Sequence, residues 1–392
     1  MPFHQFKTAS KLPAAEHGGL PANPLDEILG RVLGRFGLDK IATYFARYAK
    51  DWPNLKPWLP EDLGPGSFLM DCHCHTGLSD GEGNFESVLA RIGKDRLLDG
   101  LLFTDHVWRL GADGKTRIPN EKVLHQSFDA LNIVKKLKEK KVLPEHFVSF
   151  PGSAEFVCRG TARFPTRGVE LIGAALPPTF IEDHGGLRRI RNLLAEELVS
   201  RIHDAGGIAI LVHPFYFENA YSPTLWREVD AVEMVNQTTH MFVEPAARGF
   251  TKKARGDLPL VDEAFRLQPL FGYFAWRARV ELQEHPRPVV GSSDAHVEVF
   301  AGAGCTWCKE PVTCIEDFRK LLRLRHTEGI LNPRWDRAAD IDGIIDAIWH
   351  HWGKKIVQTM HSLNRERRAV IPVLKLATMF LKGMKDVPFT RP

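Results

Sequence analysis

The chain has 392 residues, 44% of them hydrophobic and 26% charged, with 32 glycines and 26 prolines, a globular composition that excludes a disordered or fibrous protein. Its 52 Lys and Arg against 48 Asp and Glu leave a formal charge of +4, too little to argue for nucleic acid by charge alone. Six cysteines in this length do not make a disulfide scaffold.

The opening stretch, MPFHQFKTASKLPAAEHGG, has no apolar core for a signal peptide. No segment approaches the roughly 18–20 apolar residues of a membrane span; the nearest, AVIPVLKLATMFL, is short and carries Pro372 and Lys375. The expectation is a cytoplasmic protein without a transmembrane segment. Residues 24–50 read as one or two helices, with Ile28, Val32, Leu33 and Phe36 at helical spacing. The Pro- and Gly-punctuated DWPNLKPWLPEDLGPGS then serves as a connector, so residues 1–65 form an N-terminal helical extension.

Residues 66–330 change pattern. Short apolar runs read as strands: SFLMDCH, DGLLFTDH, HFVSFPGSAE, VELIGAAL, GIAILVH, DAVEMVN and RPVVGSSDAH. Helical stretches such as KVLHQSFDALNIVKKLKEKK and GLRRIRNLLAEELVSRIHDAG lie between them. This alternation predicts an α/β domain with a largely parallel sheet, and seven strands suit a barrel. After Glu310 the sequence turns helical, first in EDFRKLLRLRHTEG. Residues 331–392 read as a basic C-terminal helical extension; from Ala301 onward 16 basic residues stand against 10 acidic ones.

The polar residues at strand ends carry the chemistry. The first strand ends in Asp71-Cys72-His73-Cys74-His75. Side chains at i and i+2 of an extended segment point the same way, so His73 and His75 can share one ion while Cys72 and Cys74 face packing. Further strand ends hold Asp105-His106, Glu155, His213 and Asp294-Ala295-His296, and Glu170 lies on the strand after Glu155. In a parallel barrel these ends converge on one face. Imidazoles and carboxylates gathered there suit divalent transition metals.

Four stretches together resemble the PHP family, named for polymerases and histidinol phosphatases. They are His73-Cys-His75-Thr76 with Ser79-Asp80-Gly81, then Thr104-Asp105-His106, then His213-Pro214, then Gly291-Ser292-Ser293-Asp294-Ala295-His296. The resemblance implies a distorted (β/α)7 barrel holding two or three divalent ions (manganese, zinc or iron). It implies a first ion on His73, His75, Glu155 and Asp294, a second on Glu155 and His213, and a third on Asp80, His106 and His296. Many members place a histidine where this chain has Glu170 in Val169-Glu170-Leu171-Ile172-Gly173. A carboxylate there favours a harder ion such as manganese.

Three ions against ionised Asp80, Glu155, Glu170 and Asp294 leave a net of about +2, which would attract a phosphate dianion. The expected activity is hydrolysis of a phosphomonoester, a nucleotide or sugar phosphate, by a metal-bridged hydroxide. Asp105 is expected to support a histidine, Arg159 (with Arg109 a weaker candidate) to contact phosphate, and His240 to protonate the leaving group. Two alternatives stay open. One is a nuclease or oligonucleotide phosphatase, which the basic C-terminal region favours. TatD-type deoxyribonucleases also begin with His-x-His, but they do not predict the Ser-Asp-Gly and Ser-Asp-Ala-His stretches together. The other is a non-catalytic metal-binding regulatory domain, disfavoured because every ligand position is filled. Cys305-Thr-Trp-Cys308 has Cys-x-x-Cys spacing but sits in an apparent strand, so it is read as packing. The extensions offer surfaces for homo-oligomerisation; NRERRAVIPVLKLATMFLKGMK would pack on the barrel or a second subunit, its Lys and Arg facing water, rather than on an anionic membrane.

Overall fold

A computed structural model describes residues 66–111, 116–162, 168–215, 222–237 and 278–344, together with 60, 63, 64, 275, 346 and 347. The N-terminal extension, most of the C-terminal one and His240 lie outside these residues. The strands among them are β1 Phe68–Asp71, β2 Gly100–Leu101, β3 Trp108–Leu110, β4 Arg117–Pro119, β5 Val148–Ser149 and β6 Ala154–Cys158, then β7 Val169–Ala174, β8 Ile208–Leu211, β9 Ala231–Asn236, β10 Val289–Ser292, β11 Gly304–Cys308 and β12 Thr327–Leu331. Between them run α1 Phe85–Lys94, α2 Val123–Ser127, α3 Asp129–Glu139, α4 Phe180–Asp183, α5 Leu187–Arg191, α6 Ala195–Asp204, α7 Pro223–Glu228, α8 Ile315–Arg323 and α9 Pro333–Ala338.

The fold is mixed α/β, and it departs from the predicted barrel. One sheet has the order β12-β11-β1-β2-β5 and another β10-β9-β8-β7-β6, with β3 and β4 forming a separate hairpin. Among the described residues the ladders do not close. Past the strand ends, single bridges join the two large sheets, Cys74 to Ala295 and His106 to Glu155, and β10 also packs against β11 and β12, with Thr306 Oγ1 of β11 bonded to the Gly291 backbone of β10. Nor are the sheets largely parallel: β1–β11, β11–β12, β6–β7 and β7–β8 are antiparallel. The connection from β6 to β7 is too short to carry a crossover helix, so the chain must reverse.

Several predicted elements split. HFVSFPGSAE breaks at Gly152, whose φ of +72° and a Cβ position 1.9 Å from the Leu176 carbonyl oxygen admit only glycine. The two long helical stretches divide into α2 with α3, and α5 with α6. The segment read as helix up to Gly329 stops at Arg323, and Thr327–Leu331 pairs with β11 instead.

Hydrophobic patterning accounts for the packing. The β8 sequence Ile-Ala-Ile-Leu is buried throughout, as expected of a strand covered on both faces. Helix α1 starts at a capping box: Asn84 accepts from the Ser87 N–H while Ser87 Oγ accepts from the Asn84 N–H. Its Val88, Leu89 and Ile92 then pack with Leu69, Leu101 and Phe103. Burying a side chain such as Leu89 contributes about 2–3 kcal/mol. Cys72 and Cys74 enter apolar packing, as strand alternation with the histidines predicts, though in separate clusters. So do Cys305 and Cys308 of β11, and burial pushes all four thiols up.

Candidate metal centre

The tail of β1 is set by Asp71. Its buried carboxylate accepts from the backbone N–H groups of His73 at 3.2 Å, Ser293 at 3.0 Å and Gly302 at 3.0 Å, and from Ser293 Oγ at 2.5 Å. One side chain thus ties the His73 strand to the tail of β10. The His75 N–H donates to the Ala295 carbonyl at 2.9 Å, and the Asp294 N–H to that of His73 at 2.8 Å. Burial raises the Asp71 pKa to about 6 even though Ser293, His73 and Gly302 donate to it.

Strand register decides depth. Glu155 pairs with Ile172 and Val157 with Glu170, so Glu155 lies two residues below the rim that Glu170 occupies; side-chain exposures of 1% and 16% follow. Glu155 is the second residue of β6 rather than the end of the preceding strand. Because β7 runs antiparallel to its neighbours, Glu170 reaches this pole from the start of its own strand, a position that a parallel arrangement would have sent to the other end.

The predicted ligands converge. His73 Nε2 and His75 Nε2 are 3.0 Å apart, and each lies 3.5 Å from Glu155 Oε2. Asp294 Oδ1 stands 3.4 Å from the former and 3.2 Å from the latter. His106 Nδ1 is 2.8 Å from Glu155 Oε2, and His213 Nε2 is 3.4 Å from Glu155 Oε1 and 3.6 Å from Glu170. Asp80 Oδ1 lies 3.1 Å from His296 Nε2 and 3.7 Å from His106 Nε2. Among the described residues, three groups have donor atoms within 4.8 Å of one another: His73, His75 and Asp294; His75, Asp80, His106 and His296; and His106, Glu155 and Glu170. His75 and His106 therefore each stand in two groups, where the family pattern gives each a single ion.

The electrostatics suit a cation. The buried Glu155 oxygens are met by imidazole nitrogens of four histidines, a buried carboxylate–imidazole cluster that a bound ion would compensate. Burial, followed by His296 and His106, lowers His75 to about 3, the neutral ligand form. Burial opposes charge on His106 and His213 as well, but Glu155 and Glu170 outweigh it and lift both to about 9. Burial likewise opposes ionisation of Glu155, yet His106 and His73 hold its carboxyl well below the usual range.

Sequence reasoning missed Glu233. It is buried in β9, where its Oε1 meets His73 Nδ1 at 3.1 Å and accepts from Ser292 Oγ. Its Oε2 accepts from the His213 N–H at 2.7 Å and Asn236 Nδ2 at 2.9 Å; that amide also donates to Asp294 Oδ2 at 3.1 Å. A carboxylate on the ring nitrogen turned away from the cluster fixes the histidine's tautomer and orientation. The signal was available, as a lone charge within the apolar run AVEMVN. These bonds also hold two residues in left-handed backbone, His213 at φ +25° and Asp294 at +50°, conformations that cost of order 1–3 kcal/mol each.

Asp105 does not support a histidine. Its carboxylate accepts from the Thr76 N–H at 2.7 Å, Thr76 Oγ1 at 2.8 Å and Ser79 Oγ at 2.7 Å, and so holds the turn that presents Asp80. Arg159 is exposed just beyond β6, on the rim side of Glu155, and Arg109 is exposed on β3. Trp108, also unforeseen, stacks on His106 with ring centroids 4.3 Å apart, and the Arg117 guanidinium lies 4.2 Å from its centroid.

No family model and no curated protein matches the sequence. Among solved structures the chain is similar to a two-domain protein from Bacteroides vulgatus containing a predicted PHP-like metal-dependent phosphoesterase, at 13% identity and a TM-score of 0.40, covering 71% of this chain and 68% of that one. It is similar to PsfC from Pseudomonas syringae at 15% identity and 0.38, over 74% and 99% of the two chains. It is also similar to Endonuclease Q, solved with a 27-mer duplex bearing an abasic lesion, at 11% identity and 0.38, over 68% and 60%.

Proposed function

We propose that the chain is a metal-dependent phosphoesterase of the PHP type acting on a phosphomonoester of the nucleotide or sugar phosphate class. The observation that carries this reading is Glu155, whose two buried oxygens face the ring nitrogens of four histidines. His73, His75, Glu155 and Asp294 would hold one divalent ion, Glu155, Glu170 and His213 a second, and Asp80, His106 and His296 a third. Bound there, such ions act as Lewis acids and bring the pKa of water toward neutrality.

The chain's own residues orient and enclose. Glu233 holds His73 Nδ1, Asn236 steadies Asp294, and Asp105 keeps the Thr76–Ser79 turn that carries Asp80. Trp108 covers one face of His106 and keeps water from it. Neither Cys72 nor Cys74 offers a thiolate, since both face apolar packing and burial raises their pKa. Arg159 at the rim is assigned a phosphate oxygen, and His240 the leaving group.

The test is hydrolysis of a phosphate panel by protein reconstituted with manganese, zinc or iron, alongside metal counting. The panel holds p-nitrophenyl phosphate, its bis-ester, mononucleotides, sugar phosphates and a short single-stranded oligonucleotide. Metal-dependent turnover of a monoester, lost in His75→Ala and Asp294→Ala, is expected. Turnover confined to the oligonucleotide would replace this reading with the nuclease one. Stoichiometric metal with no turnover would leave a binding role.

A further inference from the structure

A second charged region lies away from the cluster, where α1 and α3 end and before β2 and β5 begin. A cavity of about 800 Å³ there is lined by Arg96, Lys138, Lys141, Arg334 and Arg337, and no candidate metal ligand borders it. Three carboxylates share the lining, Asp95, Asp99 and Glu145, so five cations exceed them by two. Asp99 is buried and already engaged: it accepts from the Leu69 N–H at 2.9 Å and Arg334 at 3.1 Å, and faces His146 at 3.0 Å. Asp95 pairs with Arg91. Arg96, Lys138, Lys141 and Arg337 make no ion pair among the described residues, and their charges are left for something else.

Local backbone presents two of these cations. Both helices end in the same motif. After α1 the Leu97 N–H donates to the Ile92 carbonyl and the Arg96 N–H to that of Gly93; after α3 Val142 donates to Leu137 and Lys141 to Lys138. This double bond pattern puts the residue following the cap in left-handed backbone, usually as glycine. Here it is Arg96 at φ +50° and Lys141 at φ +58°. A long cation stands at each position that glycine would occupy at lower cost. The helix ends are also side by side, since a Cβ on Gly93 would lie 2.4 Å from the Val142 carbonyl oxygen. Leu98, Val142, Leu143, Pro144 and Ala338 add an apolar wall.

We propose that this cavity binds a phosphorylated small molecule of nucleotide size, with phosphates on the Arg96, Lys141 and Arg337 side and an apolar portion against the Leu143–Pro144 wall. The volume falls in the range of small-molecule sites, and a cation surplus converging from three chain segments matches a ligand with at least two negative charges. The site is separate from the metal cluster and does not depend on the activity proposed for it.

The full-length chain, loaded with manganese, is titrated calorimetrically with α,β-methylene-ADP (which resists hydrolysis), with pyrophosphate and with adenosine. The nucleotide analogue is expected to bind best, pyrophosphate less tightly and adenosine not at all, with affinity falling as salt rises. The double variant Arg96→Glu/Lys141→Glu should weaken the analogue at least about tenfold while its melting temperature and manganese content stay unchanged. Asp294→Ala should bind the analogue as the parent does; if that variant fails to fold, the chelated parent takes its place. Absence of binding by both phosphate probes overturns the proposal, as does binding that is lost in Asp294→Ala or the chelated parent but retained in the double variant. Equal affinity for pyrophosphate and the analogue overturns the assignment of an apolar subsite.

Discussion

The metal pole and the cationic cavity both gather charge, and they do so by opposite means. At the pole, carboxylates and imidazoles interleave at 2.8–3.7 Å and are almost entirely withdrawn from water. Several are positioned through residues elsewhere in the chain, among them Asp71, Asp105, Glu233 and Asn236. In the cavity Arg96, Lys141 and Arg337 are exposed, share one sign, and are presented by the ends of three helices. Buried charge is stable only when opposite charge, hydrogen bonds or an ion compensate it; exposed charge needs only a backbone that aims it.

The largest effect that would break this contrast is expected at Glu155. Glu155→Gln keeps the side-chain shape and removes the charge facing four imidazoles. Bound metal should fall below one equivalent, and hydrolysis of whichever monoester is turned over should drop by roughly 10³-fold. Parent-like metal content would remove the basis of the site. Next comes Glu233→Gln, which touches no proposed ion. Metal affinity measured by competition with a chelating dye should weaken about 10–100-fold, with secondary structure by circular dichroism unchanged.

A buried glutamate without imidazoles sharpens the comparison. Burial pushes Glu328 on β12 up to about 7 from 4.5, whereas imidazoles hold Glu155 low. The neutral form of Glu328 is favoured in the folded chain, so stability is full below pH 4.5 and declines as pH rises through 7. Glu328→Gln should therefore melt higher than the parent at pH 8, by an amount worth about 1 kcal/mol after solvent screening, and melt with it at pH 4. A difference that persists at pH 4 would count against this origin. The smallest effect is expected in the cavity: Lys141→Gly should raise stability by about 0.5–1 kcal/mol at its left-handed position while weakening the nucleotide analogue. Loss of stability there would mean that the lysine supports the fold rather than a ligand.

Much of the fold was legible in the sequence. Apolar runs located the strands on which the site depends, and His-x-His, the Asp-His pair and Asp-Ala-His identified side chains that the structure gathers at one pole. Lone cysteines alternating with histidines were correctly sent into packing. Local signals failed where distant contacts decide. Gly152 divides HFVSFPGSAE in left-handed backbone, where the Leu176 carbonyl oxygen leaves no room for a side chain. Thr327–Leu331 reads as the end of a helix until β11 offers it a partner. Asp105 stands beside a histidine in sequence, yet its hydrogen bonds go to Thr76 and Ser79.

By itself, then, the sequence determined the residue types of the centre and their placement near strand ends, because side-chain alternation and hydrophobic burial act over a few residues. Only the tertiary structure decided the depth of Glu155, the arrival of Glu170 from the opposite strand direction, the hold of Glu233 on His73, and the meeting of two helix ends around a cationic cavity. Those depend on register, strand direction and close approach between segments far apart in the chain, and no local pattern encodes them.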